Sequence, residues 1–280
     1  MRSPMIHAAA VLAALTFALP AAAQDSDGEW VENCRRNNRR SDRVHHCEVR
    51  ESRIPARGSL AVDGRQNGGV SVRSWDRNEI EVHARIQSWA SSESAARDIA
   101  QDIRVRTEGG TVRADGPSTE GRRGFAVNYV IYVPRRMNLD VETHNGPVSV
   151  SGVTGRIRLE AVNGPIALSH VNGDVRARAQ NGPLAVTLSG SRWSGEGLDA
   201  QTVNGPVTLN LPRGYAAHLE ASTVNGPFAS NIGTRERRDD DERRGDRWSR
   251  RRRSINQDIN GGGATVRVAT TNGPIAIHTR

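Results

Sequence analysis

The sequence predicts an all-β chain: a parallel β-solenoid (a single-stranded β-helix) behind an N-terminal β-rich cap containing one short helix. Three observations carry that expectation. Asn-Gly-Pro occurs six times, starting at Asn145, Asn163, Asn181, Asn204, Asn225 and Asn272. Six residues before each Asn stands an aliphatic: Leu139, Ile157, Val175, Leu198, Leu219 or Val266. Three residues after it stands Val148, Ile166, Leu184, Val207, Phe228 or Ile275, and apolar and polar residues alternate on both sides of the tripeptide. Alternation with period two marks a strand with one buried face. A fixed repeat of this length marks stacked supersecondary units.

Each unit reads as strand, corner, strand. Asn-Gly between alternating strands is also the strongest short hairpin signal. The Pro decides between the two readings. In a two-residue Asn-Gly hairpin the next residue donates the N–H that closes the turn, and Pro has none. Pro is tolerated as the first residue of a strand after a corner. Parallel stacking then places the six Asn in one row as an amide ladder, with Asn and Gly also able to supply positive φ angles at the corner. Spacings between successive Asn are 18, 18, 23, 21 and 47, so the last interval holds an insertion, 234–253.

The elements before the repeats follow in order. Residues 1–23 carry an apolar run, Ala8 to Leu19, then Pro20 and three alanines. This reads as a secretory signal cut after Ala23, too short for a membrane span. Residues 24–53 are Arg-rich and polar and read as a flexible leader with a Cys pair. Cys34 and Cys47 are expected to form a disulfide in an oxidising compartment. Residues 54–138 form the cap. Val70 and Val72 follow Asn67 and Gly68 like a degenerate opening rung, and Ile80 to Ile86 alternate as a strand. A helix is expected over 91–103, capped by Ser91 or Ser92. Strands follow around Val105 and at Thr111 to Ala114, and Phe125 to Val133 reads as a strand buried on both faces. The repeats occupy 139–280.

Every basic side chain is Arg, and the formal net charge of the whole chain is +8. Residues 34–53 and 234–253 each carry a net +4, so the remaining body of the exported chain is close to neutral. Arg pairs with phosphate and carboxylate by bidentate bonds. The implied partners are an envelope protein, an anionic glycan or a lipid. Nucleic acid is disfavoured, because aromatic residues are sparse beside the Arg runs.

The order of signal, alternating domain, strand ending in Val133-Pro134, and T-x-N-G-P-I/V units resembles the bacterial DUF4097 family of adhesin-like β-strand-repeat proteins, over about residues 55–280. The resemblance implies a periplasmic or cell-surface role and brings no catalytic residues. The Arg-rich leader, the Cys pair and the insertion fall outside its pattern.

No catalytic, cofactor or metal residues are expected, and the structural corner ladder is the six Asn. Glu142 and Glu160 share a column and give the only paired carboxylates for a carbohydrate-active β-helix enzyme acting on an acidic polysaccharide. Arg158 and Arg176 stand beside them, so a solvated charge ladder also explains them. His144, His170 and His218 fall in different columns, and His45 and His46 beside Cys47 match no zinc spacing. The columns four and six after each Asn are small and uncharged, Ser149, Ala167 and Ala185 among them. Such a face suits docking. The expectation is a non-enzymatic, exported envelope scaffold, with a stress or signalling accessory role as a further alternative.

Overall fold

The computed structural model describes residues 26–37, 42–232, 237–238 and 253–280. The signal segment and most of the charged insertion lie outside the described residues. Helix α1 (Asp27–Asn37) is followed by β1 (Val44–Pro55), β2 (Ser59–Asp63), β3 (Val70–Trp75) and β4 (Glu79–Ala90). Helix α2 (Glu93–Asp102), β5 (Arg104–Arg106), β6 (Thr111–Asp115) and β7 (Gly124–Pro134) complete the non-repetitive part. The repeats give β8 (Asn138–Asn145), β9 (Val148–Ser151), β10 (Thr154–Asn163), β11 (Ile166–Ser169), β12 (Asn172–Asn181) and β13 (Leu184–Thr187). They continue as β14 (Gly197–Asn204), β15 (Val207–Leu211), β16 (Ala217–Asn225), β17 (Phe228–Ser230), β18 (Arg237–Arg238), β19 (Arg253–Ile259), β20 (Thr265–Asn272) and β21 (Ile275–Thr279).

Two large mixed sheets enclose the core. Sheet A has the order β1-β4-β7-β3-β9-β11-β13-β15-β21-β17, and sheet B the order β18-β19-β16-β20-β14-β12-β10-β8-β2-β6-β5. The strands flanking the Asn-Gly-Pro corners pair in parallel. β1, β4, β7, β5 and β19 bring antiparallel pairs. Both sheets are mixed and open: the corner strands of 139–280 pair in parallel, β19 adds antiparallel pairs there, and the other antiparallel pairs lie before the repeats, so a closed parallel solenoid is not what forms. The antiparallel strands lie outside the Asn-Gly-Pro units, where nothing in the sequence imposes corner stacking.

The corner explains its own composition. The Asn side chains form one chain of amides, each donating to the next: Asn225 to Asn272 at 2.7 Å, Asn272 to Asn204 at 2.8 Å and Asn204 to Asn181 at 2.9 Å. It continues from Asn181 to Asn163 and Asn163 to Asn145, both at 2.9 Å, and ends on Asn67 at 3.4 Å. The degenerate rung at Asn67 thus joins the row. The Gly N–H donates the other way, as from Gly182 to the Asn204 carbonyl at 2.9 Å. The Pro carbonyl accepts from the neighbouring rung, as Pro206 does from Leu184 at 2.9 Å, and the ladder of N–H donors passes from Gly182 to Leu184 without calling on the Pro183 nitrogen. Positive φ plays no part, since none of the six corner glycines has one. Glycine is required by close approach: a Cβ on Gly182 would overlap the Gly164 carbonyl oxygen, and the other corners repeat this.

The aliphatic columns fill the space between the sheets. Leu139, Ile157, Val175, Leu198, Val266 and Leu219 are all buried on sheet B, facing Val148, Ile166, Leu184, Val207, Ile275 and Phe228 on sheet A. The end of the core away from the Asn row is closed by Met137, Val153, Val171, Trp193 and Tyr215. The last two are the bulky side chains of the longer repeats, and Trp193 Nε1 donates to the Gly173 carbonyl at 2.9 Å. A buried threonine column adds a bond that the apolar pattern does not show. Thr202 donates to Gly182 O, Thr270 to Gly205 O and Thr223 to Gly273 O, each at 2.9 Å. Burial pushes the Tyr215 phenol up to about 12.

The rungs do not stack in sequence order. The last repeat, β20 and β21, lies between the fourth and fifth: β20 between β14 and β16, β21 between β15 and β17. β19 turns back to pair antiparallel with β16 on its far side. The expected simple excursion between adjacent coils is corrected accordingly. The column chemistry is compatible with this order. Sequential stacking would set Asp199 opposite Glu220, whereas Arg267 now lies in register with both and 3.3 Å from Glu220.

The leader expected to be flexible contains α1 and most of β1, so the described residues hold two α-helices rather than one. β1 pairs with β4 along its whole length, and the Cys34–Cys47 disulfide holds α1 against that edge. Closing so short a loop contributes about 3 kcal/mol in the chain-entropy picture. α2 begins at the Ser92 cap, whose hydroxyl accepts from Ala95 N at 3.2 Å. Its last turn lacks a basic residue, and Arg50 of β1 supplies one, donating to Ala100 O and Ile103 O at 2.7 and 2.6 Å. β7 is buried on its inner side only; its outward residues, Tyr132 among them, are half-buried because β7 runs along an open face.

Two outcomes are expected. Deleting residues 264–280 removes a rung from the middle of both sheets, so the truncated chain should lose its cooperative thermal transition by circular dichroism instead of melting a few degrees lower. Asn181→Asp removes the donor to Asn163 and should cost about 1 kcal/mol in denaturant titrations, a deficit that shrinks in acid once the carboxyl can donate again.

Candidate functional site

The two outer faces differ in chemistry because alternation exports every second residue of each rung. Sheet B carries charge. One row runs Asp140, Arg158, Arg176, Asp199, and the next runs Glu142, Glu160, Arg178, Gln201. Arg178 pairs with Asp199 at 2.8 Å, and Asp174 lies 3.8 Å from Arg176 and 4.0 Å from Arg156. At the β5–β6 end Asp115 meets Arg106 at 2.7 Å and Arg65 at 2.8 Å. Dehydration opposes its ionisation, but these guanidiniums together with Arg113 hold its carboxyl below the usual carboxylate range.

An open groove of about 630 Å³ crosses sheet B beside the Asn row, lined by Asp63, Arg65, Glu142, Glu160, Arg178 and Val203 among others. Glu142 and Glu160 stand in register, and Asp63 is in register with Glu142 on its other side. Parallel neighbours sit about 4.8 Å apart, near the carboxyl separation of retaining glycosidases, about 5–5.5 Å. Both Glu side chains are exposed, and Arg178 is in register with Glu160. The groove offers anionic oxygens and the guanidiniums of Arg65 and Arg178 to a cationic or hydroxyl-rich ligand.

Sheet A is the opposite. From β9 to β21 its outer face shows Ser149, Ala167, Ala185, Thr208 and Ala276 in register, half-buried and uncharged. Short side chains leave a flat surface. α1 sits at the antiparallel end of the same sheet, joined to β1 through Cys34 and Cys47, away from these rungs.

The histidines singled out in the sequence do not converge. His170 is at a corner with φ 55°, and His218 bonds Asp258 at 2.7 Å. His45 faces Gln87 at 3.0 Å, and His46 faces Glu48 at 3.0 Å. The Arg267 contact was hidden because it needs the out-of-order rung; the alternation of acids and Arg within one column is the signal that points to it.

No protein-family model matches the chain, and no curated protein does. Solved structures resemble it at low identity. A candidate cell adhesion protein from Clostridium sporogenes aligns at 10% identity over 84% of this chain and 100% of its own, with a TM-score of 0.34. A candidate adhesin from Bacteroides fragilis aligns at 12% over 83% and 97%, with a TM-score of 0.38. A candidate lipid binding protein from Parabacteroides distasonis aligns at 10% over 83% and 96%, with a TM-score of 0.27. Identities and scores at this level transfer no role.

Glu142→Gln relieves like-charge contacts with Asp63 and Glu160, so it should raise stability by about 0.5 kcal/mol. The gain should be larger at low salt, as read by guanidinium unfolding at two ionic strengths.

Proposed function

We propose that the chain is an exported, non-catalytic envelope or surface scaffold whose repeat half works as a β-solenoid-type stack and holds a partner on its broad faces. One observation carries this reading: the outer face of sheet A between β9 and β21 is flat, uncharged and built of short side chains in strict register. Such a face admits close approach of a second surface with little side-chain ordering cost. Charged residues interrupt it at neither Ala167 nor Ala185, although charge fills the outer face of sheet B at every rung. The disulfide and the apolar N-terminal segment support export. Among the described residues no helix is long and apolar enough to cross a membrane.

A second reading rests on the in-register carboxylates of the groove, which would suit cleavage of an acidic polysaccharide. Incubation with such polymers separates the two. Chain shortening that Glu142→Gln abolishes would replace the scaffold reading.

Ala185→Glu places a carboxylate in the centre of the sheet A face. Cross-linking and capture from envelope extract should lose its specific product by about tenfold, or more, while the melting temperature stays within a few degrees. Equal capture by both proteins would remove the sheet A face from the proposal.

A further inference from the structure

Away from the repeats, one histidine and three carboxylates meet on the outer face of sheet A beneath α1. His83 comes from β4, Glu51 from the neighbouring β1, and Asp27 from the first turn of α1. His83 Nδ1 bonds Asp27 Oδ2 and lies 3.9 Å from Glu51 Oε1. One oxygen or nitrogen from each of these three residues lies within 4.8 Å of the other two. The second polar atoms of Asp27 and His83 are engaged by an outer layer. Asp27 Oδ1 accepts from Arg85 at 3.0 Å, His83 Nε2 lies 2.9 Å from Glu81 Oε1, and Glu81 Oε2 accepts from Arg53 at 2.7 Å. The edge of Tyr132 closes on the imidazole with ring centres 5.8 Å apart, and Trp30 of α1 stacks on Arg85.

The outer layer assigns the inner one. With both ring nitrogens protonated, Nδ1–H donates to Asp27 and Nε2–H to Glu81; loss of the Nδ1 proton leaves a lone pair facing Asp27 and Glu51 while Nε2–H stays on Glu81. A carboxylate behind the imidazole is the arrangement that orients metal-ligating histidines and raises their basicity. Arg85 turns the second Asp27 oxygen away, so Asp27 presents a single one. Asp27, Glu51 and Glu81 bring three negative charges against the two of Arg53 and Arg85, a deficit that a proton on His83 or a bound cation fills.

We propose that Asp27, Glu51 and His83 form a divalent-cation site of zinc type that fastens α1 to sheet A. One imidazole with two carboxylates suits zinc, whereas calcium and magnesium prefer oxygen alone. Zinc holds such donors at about 2.0–2.2 Å, hence about 3.4 Å from one another, a spacing that side-chain torsions reach from the present one. The ion takes the place of the proton between Nδ1 and Asp27, and the fourth position faces solvent past Glu51, whose side chain is 61% exposed. Proton and metal compete for Nδ1. Burial lowers the proton affinity of His83, yet the bonds to Glu81 and Asp27 outweigh it and raise its pKa above the ordinary value.

Calorimetric titration of the oxidised full chain with ZnCl2 tests the site. One equivalent should bind saturably and raise the melting temperature. Glu51→Gln, at an exposed position that leaves the fold intact, should weaken binding by about tenfold or more, and Glu81→Gln by about tenfold through loss of orientation. His218→Ala, which removes another histidine–carboxylate pair, should change nothing. Absence of a saturable site, or an affinity unmoved by Glu51→Gln, overturns the proposal.

Discussion

The structure depends on how closely successive corners approach one another. At each Asn-Gly-Pro the Gly α-carbon lies over the carbonyl oxygen of the neighbouring corner, where no side chain fits. That approach lets the Gly N–H reach the next Asn carbonyl and the Asn amides bond in an unbroken row. The two sets of donors point in opposite directions along the stack, so neighbouring rungs are held by bonds of both senses. Register follows from this. Once the corners are superposed, a one-residue slip would turn each aliphatic column to solvent, and the buried rows on both sheets forbid it.

Stacking of this kind does not require chain order, only matching rungs. The last repeat therefore enters between the fourth and fifth, with Asn272 bonded to Asn204 across 68 residues and to Asn225 across 47. The added loop length costs little, because closure entropy rises slowly with length. The observed order is compatible with the outer charges: Arg267 lies in register with both Asp199 and Glu220, and a sequential stack would leave the two acids facing.

The repeat columns, both strands of each rung, the α2 cap at Ser92 and the disulfide partners were legible in the sequence, because each follows from local alternation or local hydrogen-bonding chemistry. The order of the rungs was not, since it rests on a choice among equivalent corners separated by an insertion. Of the two roles open to the corner residues, the amide ladder forms and positive φ does not, while the close approach that demands glycine is a property of the neighbouring rung and leaves no mark within its own. Order in the leader was hidden for a similar reason. Residues 27–37 are polar throughout most of their length, and what holds them is Cys47, Arg85 and Trp30 contacts made across long sequence separations. Among the candidate site residues, Glu142 and Glu160 were correctly read as neighbours, while Asp63 beside them required the pairing of β2 with β8.

A repeated rung presents the same environment many times, which favours broad faces over a singular site. On sheet B that environment is an ion-pair lattice in which carboxylates and guanidiniums answer one another, as Arg178 answers Asp199. On sheet A it is a row of short side chains. Individual chemistry therefore belongs where the repetition stops. At the α1 end of sheet A, three elements of unrelated sequence bring Asp27, Glu51 and His83 together, with His83 held by Glu81 and Asp27 by Arg85. Such a group owes nothing to the Asn row, and it can specialise without disturbing the register on which the stack depends.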